Sequence, residues 1–498
     1  ILNRKMVAGV GDADSKGAER VNGEVGKSQA TFALLLSAGG VCADIYDFSI
    51  INLVRPILKE EFGEPTPGHD SWMTASALMG AIIGQLSFGW LADRMGRRVA
   101  FIGTVSIVCL ASFGSASAGQ SQGFSVYTIL GVWRFIMGIG IGGEYPLAAA
   151  NTSENVDIKS SGAALAFVFA GMAAGSLLGP LVMIWLDSMA MSAAMQWRCA
   201  FGFGALLAGL CAVLRYIHLR ETDGWRRATR RVPDASSVVA APSPPTKDAL
   251  CAMSWTLAGT AGTWFIYDVV TYGVGLFSTS IFPARTGLDS ATIVLRINAF
   301  ALPGYVLAIL LAPHVRLKHL LVSATGGMAL CFVLLYRQLA PDCSECIWIF
   351  SLMRCLDALG PGMVTFSMPA QVFPTRIRAT AHGISAAAGK LGAVVGAVAF
   401  PYLNNGQQGM MQIMAFMAVL SLLTGLWACV FVPSYDTATL ETIAEHDGAP
   451  LERQAVLAQR VLFSGDDAPD AVPISCSPGF DPAAGTSSTS HGVTTIGP

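Results

Sequence analysis

The chain contains 498 residues, of which 53% are hydrophobic and 13% are charged, and its formal net charge at pH 7 is −2. Soluble globular proteins carry about 25% charged residues, so a composition this apolar all but excludes a soluble enzyme. The near-neutral balance also argues against a nucleic-acid-binding surface, which needs clustered positive charge.

The start of the chain and its cysteines indicate little specific chemistry. Residues 1–30 are polar and lack the apolar core of a signal peptide, and because the first residue is Ile1 we expect the natural chain to start upstream. Most of the 11 cysteines lie in apolar stretches, where cysteine packs as a small apolar side chain. Cys343 and Cys346 form one C-x-x-C pair, which alone is weak evidence for a disulfide or a metal site. We expect no metal ion and no cofactor.

Twelve stretches of the chain are apolar and long enough to cross a bilayer as a helix, which takes about 20 residues. They cover residues 31–55, 71–92, 99–119, 126–150, 162–187, 200–219, 253–282, 289–313, 319–337, 346–371, 380–403 and 409–432. The 53 glycines fit the close helix packing that small residues permit in membranes. The sequence thus predicts an all-α polytopic membrane protein with twelve transmembrane helices.

Two polar segments divide this set of spans. The segment 220–252 carries arginines and a run of Pro, Ser and Ala, and it separates six spans from six. The segment 433–498 is rich in Ser, Thr, Gly, Pro and Asp, a composition typical of disorder. We therefore expect a cytoplasmic tail (1–30), a six-helix bundle (31–219), a cytoplasmic central loop (220–252), a second six-helix bundle (253–432) and a mostly disordered cytoplasmic tail (433–498).

Lysine and arginine are concentrated in alternate loops between these spans. The basic loops follow spans 2, 6, 8 and 10 and contain Arg94, Arg97, Arg98, the arginines of 220–252, Arg316, Lys318, Arg376 and Arg378. Basic loops can also bind anionic lipid, but strict alternation is typical of the positive-inside topology. Both termini are then cytoplasmic, and we expect a multi-pass protein of the plasma membrane.

Several ionisable side chains lie inside the apolar spans, where charge is costly and usually functional. In span 1, Asp44 and Asp47 are three residues apart and share one face of the helix. In span 7, Trp264, Asp268 and Tyr272 are spaced by four, so they form a stripe that can face one cavity.

Spans 4, 10 and 11 add further charges. Span 4 contains Arg134 and Glu144, and span 11 contains Lys390. A carboxylate in a low-dielectric site takes up a proton more readily than one in water, and a buried lysine suits an anion or a carboxylate. In span 10, Arg354 and Asp357 are interpreted as an ion pair that holds helices together, a role equally open to Arg134.

The chain contains none of the motifs that mark common hydrolases or ATP-driven pumps. It has no G-x-S-x-G, no H-E-x-x-H and no Walker A loop. The buried charges favour proton-coupled transport, and we expect no enzymatic activity.

The loop after span 2 reads GWLADRMGRR, residues 89–98. It resembles the signature loop of the major facilitator superfamily, G-x-x-x-D-R-x-G-R-R. Gly89 permits close packing there, and Asp93 can cap the start of a neighbouring helix. Arg94 and Arg97 can pair with acids near span 4, so the loop is expected to hold the cytoplasmic side closed. RETDGW after span 6 and VPSYDTATLETI after span 12 resemble segments of the branch that holds sugar and phosphate porters.

Four further stretches are similar to the phosphate:proton symporter family. They read ADIYDFSIINLV (43–54), GIGIGGEYPLAAANTSE (138–154), TWFIYDVVTYGVGL (263–276) and LGPGMVTFSMPAQVFPTRIRATAHGISAAAGKLGA (359–393). With the loops above, the resemblance extends over nearly all of 31–445. It implies two six-helix bundles, a substrate cavity near mid-membrane where they meet, and transport by alternating access.

The resemblance also implies roles for individual side chains. Substrate would be bound by Tyr145, Trp264, Asp268 and Tyr272, with Met172 and Gly362 at two further ligand positions. Protons would be handled by Asp44, Glu144, Asp268 and Lys390. Gating or structural roles would fall to Asp93, Arg94, Arg97, Arg134 and Asp47, with Arg134 paired to the acids. Asp268 would share a proton with phosphate, because a carboxylate can bond the protonated form of that anion.

Two ligand positions depart from the pattern of that family. The family has Gln where this chain has Met172, and Asn where it has Gly362. A site built to bind oxygens loses about 1–3 kcal/mol for each bond left unmade. Met172 makes the expected cavity more apolar and Gly362 makes it larger. A larger or less polar substrate fits these changes, as does phosphate held through Ser176 or Thr365.

The sequence therefore predicts a proton-coupled secondary transporter, with inorganic phosphate moved together with H⁺ as the first hypothesis. A sugar or a small organic anion is the alternative substrate for the same mechanism. A transporter-like nutrient sensor would bind substrate without accumulating it, and a passive facilitator would ignore a proton gradient. The expected partners are a small-molecule substrate, protons and membrane lipid, with no nucleic acid.

Overall fold

A computed structural model describes residues 2–120, 123–156, 158–222, 225–226, 250, 253–275, 287–338, 346–404 and 406–432 of the chain. Six long helices form the first half of the described chain: α1 (Leu2–Phe62), α2 (Pro67–Met95), α3 (Arg97–Ala116), α4 (Val126–Asn155), α5 (Ile158–Ser188) and α6 (Ala193–His218). Six more form the second half: α7 (Ser254–Gly275), α8 (Gly287–Leu311), α9 (Leu317–Gln338), α10 (Cys346–Val372), α11 (Arg378–Leu403) and α12 (Gly406–Phe431).

Eleven of the helices in the described chain are long and apolar enough to cross a membrane. The helix outside this set is α7, whose Trp, Tyr, Thr and Asp side chains lower its mean hydropathy. Its polar side chains are those that the sequence singles out as a possible cavity wall. The all-α, polytopic architecture predicted from the sequence is therefore confirmed, and the protein is an integral membrane protein with multiple spans.

The helix ends follow local sequence signals. Thr66, Ser125 and Ser192 precede α2, α4 and α6, and each side chain accepts a hydrogen bond from a backbone N–H of the first turn. In α10, the residues Ala358–Gly362 form a π-helical turn around Pro361, which cannot donate the usual backbone hydrogen bond. Ala358 and Gly362 of this turn line the central cavity.

Some expected boundaries differ from the structure, and others fall on residues that it does not describe. The first apolar span begins at Ala30, as expected, and helix α1 continues upstream of it to Leu2. The described part of α7 ends at Gly275, and most of 220–252 and all of 433–498 lie outside the described residues. Cys346 is in a disulfide, while Cys343 lies outside the described residues.

The helices pack in two similar sets. In the first half α2 packs on α4, α1 on α5, and α3 on α6. The same pairs recur six helices later, with α8 on α10, α7 on α11, and α9 on α12. The two halves meet mainly through α2 with α11 and α5 with α8, which are again equivalent pairs. This arrangement leaves the space between the halves as the natural place for a central cavity.

We call the end of the bundle that holds Arg94, Arg97 and Arg98 the basic end, and the other end the opposite end. At the basic end α2 crosses α11 closely, because Gly89 has no side chain there. A Cβ on Gly89 would lie 2.6 Å from the carbonyl oxygen of Ala379. The two halves are therefore in direct backbone contact at this end.

Charged side chains reinforce this crossing. Asp93 Oδ2 accepts hydrogen bonds from the backbone N–H of Thr380 at 2.8 Å and from its hydroxyl at 2.6 Å, at the first turn of α11. Arg97 pairs with Asp93 and Glu154, and its Nη2 donates to the carbonyl of Thr375 at 3.1 Å. We call this group of residues the basic-end contact: Asp93, Arg97, Glu154, Thr375 and Thr380. The predicted pairing of Arg94 with an acid is wrong, because among the described residues its guanidinium has no ion pair and lies over the ring of Trp90, 4.2 Å from its centre.

Candidate functional site

A cavity of about 230 Å³ lies between the two halves at mid-height. Its walls include all six positions that the sequence predicts for substrate binding, together with the lysine of α11: Tyr145, Met172, Trp264, Asp268, Tyr272, Gly362 and Lys390. The lining continues to Leu53, Pro180 and Gly275, which lie toward the opposite end of α1, α5 and α7. The cavity thus extends from the middle of the protein toward the opposite end.

Aromatic side chains close the cavity toward the basic end. Phe366 packs against Tyr145, with ring centres 6.1 Å apart, and against Phe169, with centres 5.7 Å apart. On the far side of Phe366 lies His382, which is fully buried and has one ring nitrogen 2.9 Å from the carbonyl of Phe366. A solute in the cavity therefore meets several layers of packed side chains before the basic end.

Lys390 and Asp268 form a buried ion pair on the cavity wall. Lys390 Nζ donates to Asp268 Oδ2 at 3.0 Å and to the Tyr272 hydroxyl at 3.0 Å. The same ammonium lies 5.6 Å from the ring centre of Tyr145, close enough for a cation–π attraction. Since α7 and α11 place these groups side by side, a cation and its counter-ion both face any bound solute.

A second ion pair lines the same cavity. Arg354 Nη1 donates to Asp357 Oδ2, and Asp357 Oδ1 accepts from the hydroxyl of Tyr267 at 2.6 Å and of Thr271 at 3.4 Å. The predicted pair forms, but it joins two residues three apart on α10 rather than two helices, and it lies on the cavity wall. Sequence reasoning missed Tyr267 and Thr271, although both lie on the same apolar span as Asp268.

The two substituted ligand positions both reach the cavity, but Gly362 does not enlarge it. A Cβ at Gly362 would lie 3.0 Å from the hydroxyl of Tyr267 and 3.1 Å from the ring of Phe169. The expected enlargement is wrong, because those neighbouring side chains occupy the space that a side chain at this position would fill. The hydroxyls of Ser176 and Thr365 also line the cavity, and each donates to a carbonyl of its own helix.

The two acids Asp44 and Glu144 lie inside the first bundle and are not among the residues that line the cavity. Glu144 is paired with Arg215, whose Nη1 lies 2.9 Å from Oε2, and it also accepts from Thr104 at 3.1 Å. Asp44 lies within electrostatic reach of both, and its Oδ2 is buried without a hydrogen-bond partner in the described chain. Arg215 was missed, because its place near the end of an apolar stretch is typical of a membrane-flanking arginine.

Arg134 does not form the expected ion pair with an acid. Its Nε donates to the carbonyl of Met73 at 3.1 Å and its Nη2 to the carbonyl of Phe48 at 3.2 Å. Within the described residues no carboxylate lies within 4.0 Å of its guanidinium, so the predicted direct ion pair does not form, and Asp47 interacts with Arg134 only electrostatically. Asp47 instead accepts from the Ser112 hydroxyl at 2.8 Å. Arg134 is therefore held by backbone carbonyls of α2 and α1 rather than by a carboxylate.

The arrangement suits reversible binding of a charged solute. It offers two cations, two carboxylates and several tyrosine hydroxyls around a cavity that is closed at one end. A proton on either carboxylate frees its cationic partner for an anion. In the part of the chain that the structure describes, no group of three His, Cys, Asp or Glu side chains could hold a metal ion.

Comparison with known proteins gives a consistent picture. The model of a family described as "Sugar (and other) transporter" matches residues 32–446. The chain is 29% identical over 444 residues to inorganic phosphate transporter 1-2 of Oryza sativa subsp. japonica, covering 75% of this chain and 84% of that protein. It is likewise 29% identical over 444 residues to inorganic phosphate transporter 1-1 of Arabidopsis thaliana, with the same coverage.

Solved structures show the same fold. The proton:xylose symporter XylE from E. coli, bound to 6-bromo-6-deoxy-D-glucose, superposes with a TM-score of 0.68 at 19% identity, over 86% of this chain and 99% of that one. The human organic anion transporter MFSD10 superposes with a TM-score of 0.60 at 15% identity, over 80% and 99%. The first of these two proteins is described as a member of the major facilitator superfamily.

Proposed function

Because the chain belongs to the family of sugar (and other) transporters, we propose that it is a proton-coupled symporter of inorganic phosphate. The observation that carries this proposal is the ion pair of Asp268 and Lys390 on the wall of the central cavity. Relatives that are named inorganic phosphate transporters, alike over three quarters of the chain, support phosphate as the substrate.

The pair couples the proton to the anion by competition for one ammonium group. In the empty cavity Lys390 is neutralised by Asp268 at 3.0 Å. When Asp268 takes up a proton, Lys390 loses its counter-ion and attracts a phosphate anion. The protonated carboxyl can then donate a hydrogen bond to a phosphate oxygen, while Tyr272 and Trp264 fix the orientation of the anion. Proton and phosphate enter together, because either one alone leaves a buried charge unpaired.

The acids of the first bundle are proposed to relay the proton. Asp44 and Glu144 share the charge of Arg215, so the cluster carries one more carboxylate than it has cations. A buried carboxylate without a partner is costly, and a proton on Asp44 removes that cost. Tyr145, the residue next to Glu144, reaches the cavity and connects this cluster to Lys390.

Release of the substrate requires the basic-end contact to open. The bonds of Asp93 to Thr380 and of Arg97 to Thr375 join the two halves at that end. We assign this end to the cytoplasm, since basic loops are typical of the cytoplasmic side, and we place the protein in the plasma membrane. The cavity then faces outward, ready to load, and rocking of the bundles would expose it to the cytoplasm.

A sugar or small organic anion remains the second candidate substrate. Met172 adds an apolar, polarisable surface where the phosphate:proton symporters have an amide, and Gly362 supplies no donor. Phe48, Phe169 and Trp264 add aromatic wall that a bare phosphate does not need. These features favour a substrate that carries a carbon skeleton in addition to its polar groups.

Uptake of phosphate into proteoliposomes tests the proposal. The purified chain is reconstituted, and phosphate uptake is measured with and without an inward proton gradient, for the wild type, Asp268→Asn and Asp187→Asn. Asp187 is an exposed acid near the opposite end of α5 and serves as the matched control. We expect gradient-stimulated uptake that Asp268→Asn loses and Asp187→Asn keeps. If correctly inserted wild-type protein accumulates no phosphate, the assignment of phosphate as the substrate is wrong. Sugars and organic anions would then be tested in the same assay.

A further inference from the structure

The second ion pair of the cavity differs from the other charge pairs inside the helices. The side chain of Arg354 is 24% exposed, whereas those of Arg97, Arg215 and Lys390 are exposed by 0%, 1% and 6%. Its exposed surface lies on the wall of the central cavity. An ion pair that only holds helices together has no need of this access to the cavity.

The guanidinium of Arg354 also has donors to spare. Of its five N–H groups, one on Nη1 is used in the bond to Asp357. Nε and Nη2 have no partner in the described part of the chain. By contrast, both terminal nitrogens of Arg215 donate to Glu144 or to the carbonyl of Leu36. Unused donors on a cavity-lining guanidinium are the groups that a ligand with oxygen acceptors would engage.

The neighbours of Arg354 complete a polar corner of the cavity. Tyr305 lines the same wall, interacts electrostatically with Arg354, and has a hydroxyl without a hydrogen-bond partner in the described chain. Tyr272, which bonds Lys390, lies within electrostatic reach of Arg354 as well. Arg354 and Lys390 therefore flank one region of the cavity.

Asp357 is fixed independently of Arg354. The hydroxyl of Tyr267 donates to it at 2.6 Å, so the carboxylate keeps a partner if the guanidinium turns away. The pair is therefore able to separate at low cost when an anion, or a proton on Asp357, replaces the missing charge.

We propose that Arg354 is a second anion-binding side chain. Its free N–H groups donate hydrogen bonds to an oxyanion of the substrate, while the Lys390 ammonium binds another oxygen of the same group. This inference rests on the proposed function and names the substrate class of the same site: a phosphate or carboxylate group with at least two free oxygens. Asp357 is the counter-ion of Arg354 in the empty cavity. The arginine supplies the hydrogen-bond donors that Met172 and Gly362 do not provide.

The planar fork of arginine makes a specific prediction about lysine at this position. A guanidinium donates two parallel bonds to one phosphate or carboxylate, and a lysine cannot. Arg354→Lys keeps the positive charge and the pairing with Asp357 but cannot donate two parallel hydrogen bonds. It therefore distinguishes the contribution of bidentate hydrogen bonding from that of the charge. Arg354→Gln with Asp357→Asn removes both charges together and leaves no buried charge unpaired.

Uptake and binding are measured for the wild type, Arg354→Lys, the Gln/Asn double variant, and Arg198→Gln, a partly exposed control on α6. We expect KM for phosphate to rise about tenfold or more in the double variant and less in Arg354→Lys, since hydrogen bonds to charged groups are strong. Arg198→Gln should match the wild type. A double variant with unchanged KM would overturn the proposal.

Thermal stabilisation of the detergent-purified proteins decides the inference even if phosphate is not the transported solute. Inorganic phosphate, glycerol 3-phosphate and succinate are each added to the wild type and to the double variant. A rise in Tm by any of the three in the wild type, absent from the double variant, supports anion binding by Arg354, and the most effective anion identifies the source. If none of the three anions raises the Tm of the wild type by more than it raises the Tm of the double variant, Arg354 is not a ligand.

Discussion

Asp93 on α2 accepts two hydrogen bonds from Thr380 on α11, one from the backbone N–H at 2.8 Å and one from the hydroxyl at 2.6 Å. The bonds join the first half of the chain to the second at the basic end. A charged acceptor at the first turn of a helix also interacts favourably with the helix dipole. This single carboxylate therefore stabilises the arrangement in which the cavity extends only toward the opposite end.

Asp93→Asn should shift the protein toward the state that is open at the basic end. Hydrogen bonds to charged groups contribute about 1.5–3 kcal/mol, and a loss of about 1.4 kcal/mol is a tenfold change in population. Spin labels at Tyr216 and His319, on α6 and α9 at this end, report the change as a longer distance distribution. The control is Asp187→Asn, and an unchanged distribution in Asp93→Asn would contradict this role.

Removal of one member of the Lys390–Asp268 pair should cost more stability than removal of both. Breaking a buried ion pair by deleting one partner costs about 3–5 kcal/mol, because the other charge is left unpaired. We expect Lys390→Gln to lower Tm clearly, and Lys390→Gln with Asp268→Asn to recover much of the loss while phosphate uptake stays absent. A double variant no more stable than Lys390→Gln would show that the two charges do not depend on each other.

Arg215→Gln should be among the most destabilising substitutions in the first bundle. It leaves Glu144 and Asp44 as buried carboxylates with no cation beside them, at a cost of about 3–5 kcal/mol. Glu144→Gln should cost less, because Asp44 remains to balance Arg215. Thermal unfolding in detergent measures both, with Arg198→Gln on the same helix as the control. Equal Tm values for Arg215→Gln and Arg198→Gln would refute the assignment.

Met172→Gln and Gly362→Asn should have opposite effects on the affinity for phosphate, although both restore an amide of the phosphate:proton symporter family. Met172 is half-buried on the cavity wall, so a Gln there gains a hydrogen bond of about 0.5–1.5 kcal/mol, which lowers KM severalfold. An Asn at Gly362 meets the Tyr267 hydroxyl and the Phe169 ring and should raise KM.

Met172→Leu, which preserves volume without adding a donor, is the control for this pair. Concentration series of phosphate uptake in proteoliposomes give the KM values. If Gly362→Asn lowered KM as Met172→Gln is expected to do, the packing around Gly362 would have to be looser than the structure indicates.

Sequence reasoning placed the stripe of Trp264, Asp268 and Tyr272 on one face of a helix, and all three line the cavity. It could do so because helical periodicity is a local property. The same reasoning did not separate Asp268 from Glu144, although one lies on the cavity wall and the other pairs with Arg215 inside the first bundle. Both are single acids in apolar stretches, and only the neighbours of each helix distinguish them.

The sequence by itself determined that the chain is a polytopic helical membrane protein, because span length, apolar composition and the alternation of basic loops are local signals. It also predicted two contacts of the 89–98 loop, the bonds of Asp93 to the start of a neighbouring helix and the pairing of Arg97 with an acid near span 4, but not the position of Arg94 over Trp90. The tertiary structure alone decided which buried charges share the cavity, that Arg134 bonds carbonyls, and that Arg354 lines the central cavity. These outcomes depend on the rotation of each helix against its neighbours, which is set by packing between residues far apart in the chain.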